Sequence, residues 1–155
     1  MKYVLLALLL IGFMSSAVSE TITGKVVRVA DGDTFTLMTA ENRQERIRLV
    51  DIDAPERGQD FSEKSRLYLS ELLAGKTVRV EYKNRDMYGR ILGVVYADGK
   101  NVNEEMVRQG LAWEYRTNKN TRIKELQKEA QRKRLNIFSM RNPINPYDYR
   151  QGKRR

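Results

Sequence analysis

Apolar and polar residues along this chain change period several times, and each change marks an element. Thr21 to Val29 is rich in β-branched residues and runs into Asp31-Gly32, a tight-turn signal. Thr34 to Met38 alternates, with Phe35 and Leu37 on one side and Thr34 and Thr36 on the other. Thr39 to Gln44 is polar and makes the next turn, and Arg46 to Val50 reads as a third strand. A loop at Ala54-Pro55 leads into a helix with the stripe Phe61, Tyr68, Leu69 and Leu72, and Gly75 is placed to end it. Thr77 to Tyr82 alternates again, with Val78, Val80 and Tyr82 inward. Arg90 to Tyr96 is apolar at both parities, which predicts a central strand buried on both faces. Beyond the Ala97-Asp98-Gly99 turn, a short helix is predicted from about Val102 to Gln109. A third follows from about Thr121 to Arg134, with Ile123, Leu126 and Ala130 on its inner face.

Three strands, a helix, two strands and two helices predict an α+β, mainly β fold. It is a five-stranded oligonucleotide-binding (OB-fold) barrel with three helices. A chain of 155 residues suits a single such domain. Its expected limits are residues 20–140, with a basic C-terminal tail over 141–155.

Residues 1–19 carry a different signal. Lys2 precedes an apolar run from Val4 to Met14, and Ala17 and Ser19 stand at signal-peptidase spacing. Cleavage after Ser19 is expected, and with it export to the periplasm or the exterior. A retained membrane anchor is the alternative, but the run is shorter than the about 20 apolar residues a spanning helix needs. The whole chain has 29 basic and 20 acidic residues, a formal charge of +9. Loss of Lys2 with the signal leaves a strongly basic protein. That excess suits polyanion binding, a membrane surface or plain solubility, and no basic amphipathic helix with bulky apolar anchors favours the membrane.

The chain contains neither histidine nor cysteine. Histidine bases, serine–histidine triads, thiol chemistry and ordinary zinc sites are therefore excluded. Any hydrolytic chemistry must run on carboxylates, with arginine or lysine to stabilise charge. The carboxylates crowd into two runs at strand–turn junctions, Asp31-Gly32-Asp33-Thr34 and Asp51-Ile52-Asp53-Ala54-Pro55-Glu56. Each run on its own reads first as turn chemistry, and Asp31 as a turn former or a neighbour of the site. Arg48, inside an apolar strand, and Arg90, at the start of the most apolar one, each need a carboxylate or phosphate partner. Internal salt bridges and a phosphoryl clamp both meet that need.

The order of these motifs resembles the staphylococcal nuclease (thermonuclease) family. The similar stretches are Val29 to Thr34, Arg48 to Glu56, Asp86 to Arg90, Tyr96 to Lys100, Val107 to Ala112 and Leu135 to Ser139. The resemblance implies a calcium-dependent nuclease that cuts DNA and RNA and leaves 3′-phosphate ends. By the same resemblance, Asp33 and Asp53 match the metal carboxylates, and Ala54 matches the residue that lends its backbone carbonyl. Glu56 matches the glutamate that handles the attacking water, and Arg48 and Arg90 match the phosphate-clamping arginines. Tyr88 matches a nucleotide-contacting tyrosine, and Tyr115 matches another in a looser alignment. Met87 stands where the family pattern has lysine, and the loop from Arg57 to Asp60 is short. Trp113 and Tyr115 read either as stacking surfaces for unpaired bases or as core aromatics. A silent nucleic-acid-binding barrel and an envelope protein that binds an acidic polymer are the competing readings. A monomer is the default expectation.

Overall fold

The computed structural model describes residues 18–153. The expected signal segment, apart from Val18 and Ser19, lies outside the described residues. The strands are β1 (Glu20–Asp31), β2 (Thr34–Met38), β3 (Gln44–Leu49), β4 (Ile52–Asp53), β5 (Thr77–Arg85), β6 (Ile91–Ala97), β7 (Lys100–Asn101) and β8 (Trp113–Glu114). The helices are α1 (Ser62–Leu73), α2 (Val102–Arg108), α3 (Thr121–Arg132) and α4 (Pro146–Arg150), with a 3-10 turn at Asn136–Ser139. Five strands in the order β3-β2-β1-β5-β6 close into a barrel where β3 pairs parallel with β6. This is the expected OB-fold barrel, with one short helix more than the pattern predicted.

β1 makes the closure possible. Its first half pairs with β5 and its second with β2, and the register shifts between Val26 and Arg28 and again between Val29 and Asp31. Such bulges bend a strand and tighten its twist. Alternation puts Phe35, Leu37, Ile47, Leu49, Val78, Val80, Ile91 and Val95 in the interior, where each is buried. α1 seals the barrel with Leu69 and Leu73.

Two sequence expectations need correction. β6 is buried on one face only: Ile91, Gly93, Val95 and Ala97 are buried, while Leu92, Val94 and Tyr96 are half-buried. On that outer face the Arg79 guanidinium carbon lies 4.3 Å from the Tyr96 ring centroid. Asp31 is not in the turn but ends β1 opposite Thr34, so the two-residue turn is Gly32-Asp33. Gly32 is required by space, since a Cβ there would stand 2.7 Å from Ser65 Cβ and 2.8 Å from Ala54 Cβ. The turn thus sits tight against α1 and the segment after β4.

Asn103, buried on α2, fixes the other side of that segment. Its Oδ1 accepts from the Val95 N–H, and its Nδ2 donates to the Val50 and Gly93 carbonyls, all at 3.0 Å. One amide so ties α2 and β6 to the start of the acidic loop that carries Asp51, Asp53 and Glu56.

Candidate active site

Asp33 and Asp53 lie 20 residues apart in sequence and meet because two turns converge. Asp33 leaves the β1–β2 turn; Asp53 ends β4, which pairs with β8 through Asp53 and Trp113. Both carboxylates are buried, at 6% and 4% exposure. Arg48 joins them from β3. Its Nη2 lies 3.2 Å from Asp53 Oδ1 and 3.4 Å from Asp33 Oδ2. Its Nη1 donates to the Leu49 carbonyl at 2.7 Å and the Ile52 carbonyl at 2.9 Å. Arg48 therefore shapes the acidic loop as well as neutralising it. Asp33 also accepts from the Thr34 hydroxyl at 3.1 Å and from the Ala54 N–H at 2.8 Å. Ala54 thus reaches the site through its backbone.

A third carboxylate stands beside the pair. Asp31 Oδ1 accepts from the Asp33 N–H at 3.1 Å. As a residue Asp31 is exposed, yet its carboxyl is crowded by Asp33. Lost hydration, then the Asp33 charge and a hydrogen bond shared with Asp33, push it up to about 7. Burial also raises Asp53 from its ordinary value, against the pull of its bonds to Arg150 and the charge of Arg48. Acids that crowd one another in this way are held ready for a cation. Asp51 takes another part: its backbone is left-handed (φ 67°), its carbonyl accepts from the Tyr115 N–H at 2.8 Å, and it shapes the loop.

Glu56 follows three residues after Asp53, at the half-buried rim. Its N–H donates to Gln59 Oε1 at 2.8 Å, which holds the start of the loop from Arg57 to Asp60. Arg90 stands just before β6. In the parallel register Arg48 faces Leu92, so alternation puts Arg90 on the same sheet face as Arg48. Its Nε lies 2.6 Å from Asp86 Oδ2, and its guanidinium carbon 5.5 Å from the Tyr88 ring centroid. Tyr88 is 70% exposed on the same turn, open to a ligand. Tyr115 is also exposed, and the Arg48 guanidinium carbon lies 6.0 Å from its ring centroid. Trp113 differs from both. It packs edge-on against Phe138, with centroids 4.9 Å apart, and walls a cavity of about 210 Å³ with Pro55, Gln59, Ile144 and Tyr149.

The structure adds a residue that pattern reading missed. Arg150, at the end of α4, puts Nη2 2.8 Å from Asp53 Oδ2 and Nη1 2.5 Å from Glu56 Oε1. The sequence signal was Asn145-Pro146, a capping residue followed by proline at the first helical position, and Asn145 Oδ1 does accept from the Asp148 N–H at 2.8 Å.

Among the described residues, no three acids stand close enough to enclose a metal ion by themselves. The donors are nonetheless all oxygen, two carboxylates are buried together, and the Arg150 guanidinium already rests where positive charge is wanted. That set fits a hard divalent ion with an incomplete shell, open to water and a phosphate oxygen.

The chain is similar to several known proteins. A family model described as staphylococcal nuclease homologue matches residues 46–140. A protein of Escherichia coli named uncharacterized endonuclease is 46% identical, covering 98% of this chain and 99% of its own length. One of the same name from Haemophilus influenzae is 43% identical, covering 96% of this chain and 85% of its own. The micrococcal nuclease of Shigella flexneri is 42% identical over 83% of this chain and 80% of its own length.

Proposed function

Because the chain belongs to the staphylococcal nuclease family, and is thus a nuclease, we propose that it is an exported calcium-dependent enzyme that cuts DNA and RNA, favours unpaired strands and leaves 3′-phosphate ends. The observation that carries this reading is the convergence of Asp33 and Asp53 as buried carboxylates, with Glu56 on the same loop.

Asp33, Asp53 and the Ala54 carbonyl would hold calcium, which when bound polarises the scissile phosphate. Glu56 takes the proton of the attacking water as its oxygen bonds to phosphorus, the bond from phosphorus to the 5′-oxygen breaks on the opposite side, and that oxygen leaves as a hydroxyl with a proton from solvent water. Arg90 presents its guanidinium to the phosphoryl oxygens as their charge grows, and Arg48 does the same with the donors it does not spend on the loop. Tyr88, exposed beside Arg90, offers a ring to an unpaired base, and Tyr115 offers another near Arg48. Trp113 would serve the substrate from the cavity wall.

The basic excess supplies sequence-independent attraction to the phosphate backbone, which weakens as salt rises. Unpaired substrate follows from the aromatics, because a ring can stack only on a base that has left its partner. The sheet surface offers no recognition helix for a major groove. The protein is expected to act as a monomer.

Acid-soluble nucleotide release from denatured DNA, duplex DNA and RNA, with calcium and with chelator, tests this reading. Calcium-dependent release, faster on denatured DNA and ending in phosphatase-sensitive 3′ termini, is the expected result. Binding without release would favour the silent barrel instead.

A further inference from the structure

α4 is a single turn of five residues, too short to be stable alone. Tertiary contacts place it. Pro146 is buried, Gln59 Nε2 donates to the Ile144 carbonyl at 3.0 Å, and the Arg116 guanidinium carbon lies 4.1 Å from the Tyr147 ring centroid. These contacts come from the loop after Glu56 and the loop after β8, the two segments that flank the acid cluster. Arg150 is thus delivered to the acids by a docked segment. Its bonds to Asp53 are bidentate, Nη2 to Oδ2 at 2.8 Å and Nη1 to Oδ1 at 3.3 Å, and the same Nη1 reaches Glu56 Oε1 at 2.5 Å.

We propose that Arg150 is a positioning residue of the hydrolytic site, an internal cation that neutralises Asp53 and engages Glu56 until a divalent ion displaces it. The proposal rests on the calcium reading above. Both oxygens of Asp53 accept from the Arg150 guanidinium, and Oδ1 accepts from Arg48 as well, so an incoming ion competes for the same oxygens and its charge repels the Arg150 guanidinium across a short gap. Displacement also frees Glu56 Oε1, the oxygen otherwise engaged by a cation and so poorly placed to accept a proton from water. Arrival of the ion and release of the base become one event. Linkage makes the coupling reciprocal: Arg150 weakens ion binding, and the ion loosens α4.

Calorimetry of calcium binding without substrate tests this, because it reads affinity and not turnover. Arg150→Ala and Arg150→Gln are expected to bind calcium about tenfold more tightly than the unaltered protein, a coupling of ordinary size. Lys153→Ala removes the same unit of charge from the same tail, outside the acid cluster, and is expected to change affinity less than about twofold. Amide exchange supplies a second measure: calcium should speed exchange over residues 147–152 in the unaltered protein. Unchanged or weaker affinity in both Arg150 variants, with the unaltered protein binding normally, would overturn the inference alone. An absence of calcium binding in every variant would overturn the calcium reading and the inference with it.

Discussion

Replacing Arg48 by alanine would leave two buried carboxylates and two loop carbonyls without their shared donor. The Leu49 and Ile52 carbonyls each lose a hydrogen bond worth about 1 kcal/mol. Asp33 and Asp53 lose the guanidinium between them, a loss that costs about 3–5 kcal/mol for a fully buried pair. Here the cost is smaller, because Arg150 stays on Asp53 and Thr34 and Ala54 stay on Asp33. Together these give about 3 kcal/mol of lost stability. Arg90 offers the contrast, since its partner Asp86 belongs to a surface turn four residues away. Arg90→Ala should therefore cost less than about 1 kcal/mol. Urea unfolding of both variants in chelator at neutral pH, with the slope m unchanged, reads the difference directly. If Arg48→Ala is no less stable than Arg90→Ala, Arg48 does not organise the loop, and its role is confined to substrate.

Asp31 gives a pH dependence with a defined sign. Its pKa is raised from 3.8 to about 7 on folding, so the folded protein holds this proton more firmly than the unfolded one. The stability it contributes is complete below about pH 4 and fades as pH rises through about 7. Urea midpoints in chelator should show that decline, and Asp31→Asn should flatten it. Tyr88→Ala should raise KM on denatured DNA with no change in Tm, since the ring is largely exposed beside Arg90. Trp113→Ala should instead lower Tm, because it removes the partner of Phe138 and a wall of the cavity.

The barrel was legible because its strands obey local rules. Phe35 and Leu37 alternate with threonines, Asp98-Gly99 adopts the left-handed turn its residues favour, and Asn120 has the side chain a helix cap needs and caps α3. β6 misled because Leu92, Val94 and Tyr96 are apolar without being buried, and composition does not say which face a neighbour covers. The acid cluster was legible as a set of residue types. Its arrangement depends on contacts across the fold, such as Asn103 on Val50 and Ala54 on Asp33, which no spacing rule encodes. Arg150 was hidden for the same reason. It lies 97 residues from Asp53, in a segment that the sequence marks only as a basic C-terminal tail.

The central claim, that this acid cluster performs the hydrolysis, is tested most directly by turnover at saturating denatured DNA and calcium. Glu56→Gln and Asp53→Ala are compared with the unaltered protein, each checked for an intact fold. Losing the group that deprotonates water, or the carboxylate that holds the ion, should lower turnover by a hundredfold or more, about 2.7 kcal/mol of barrier. Full turnover in either variant, with calcium still required, would place the chemistry elsewhere in the molecule.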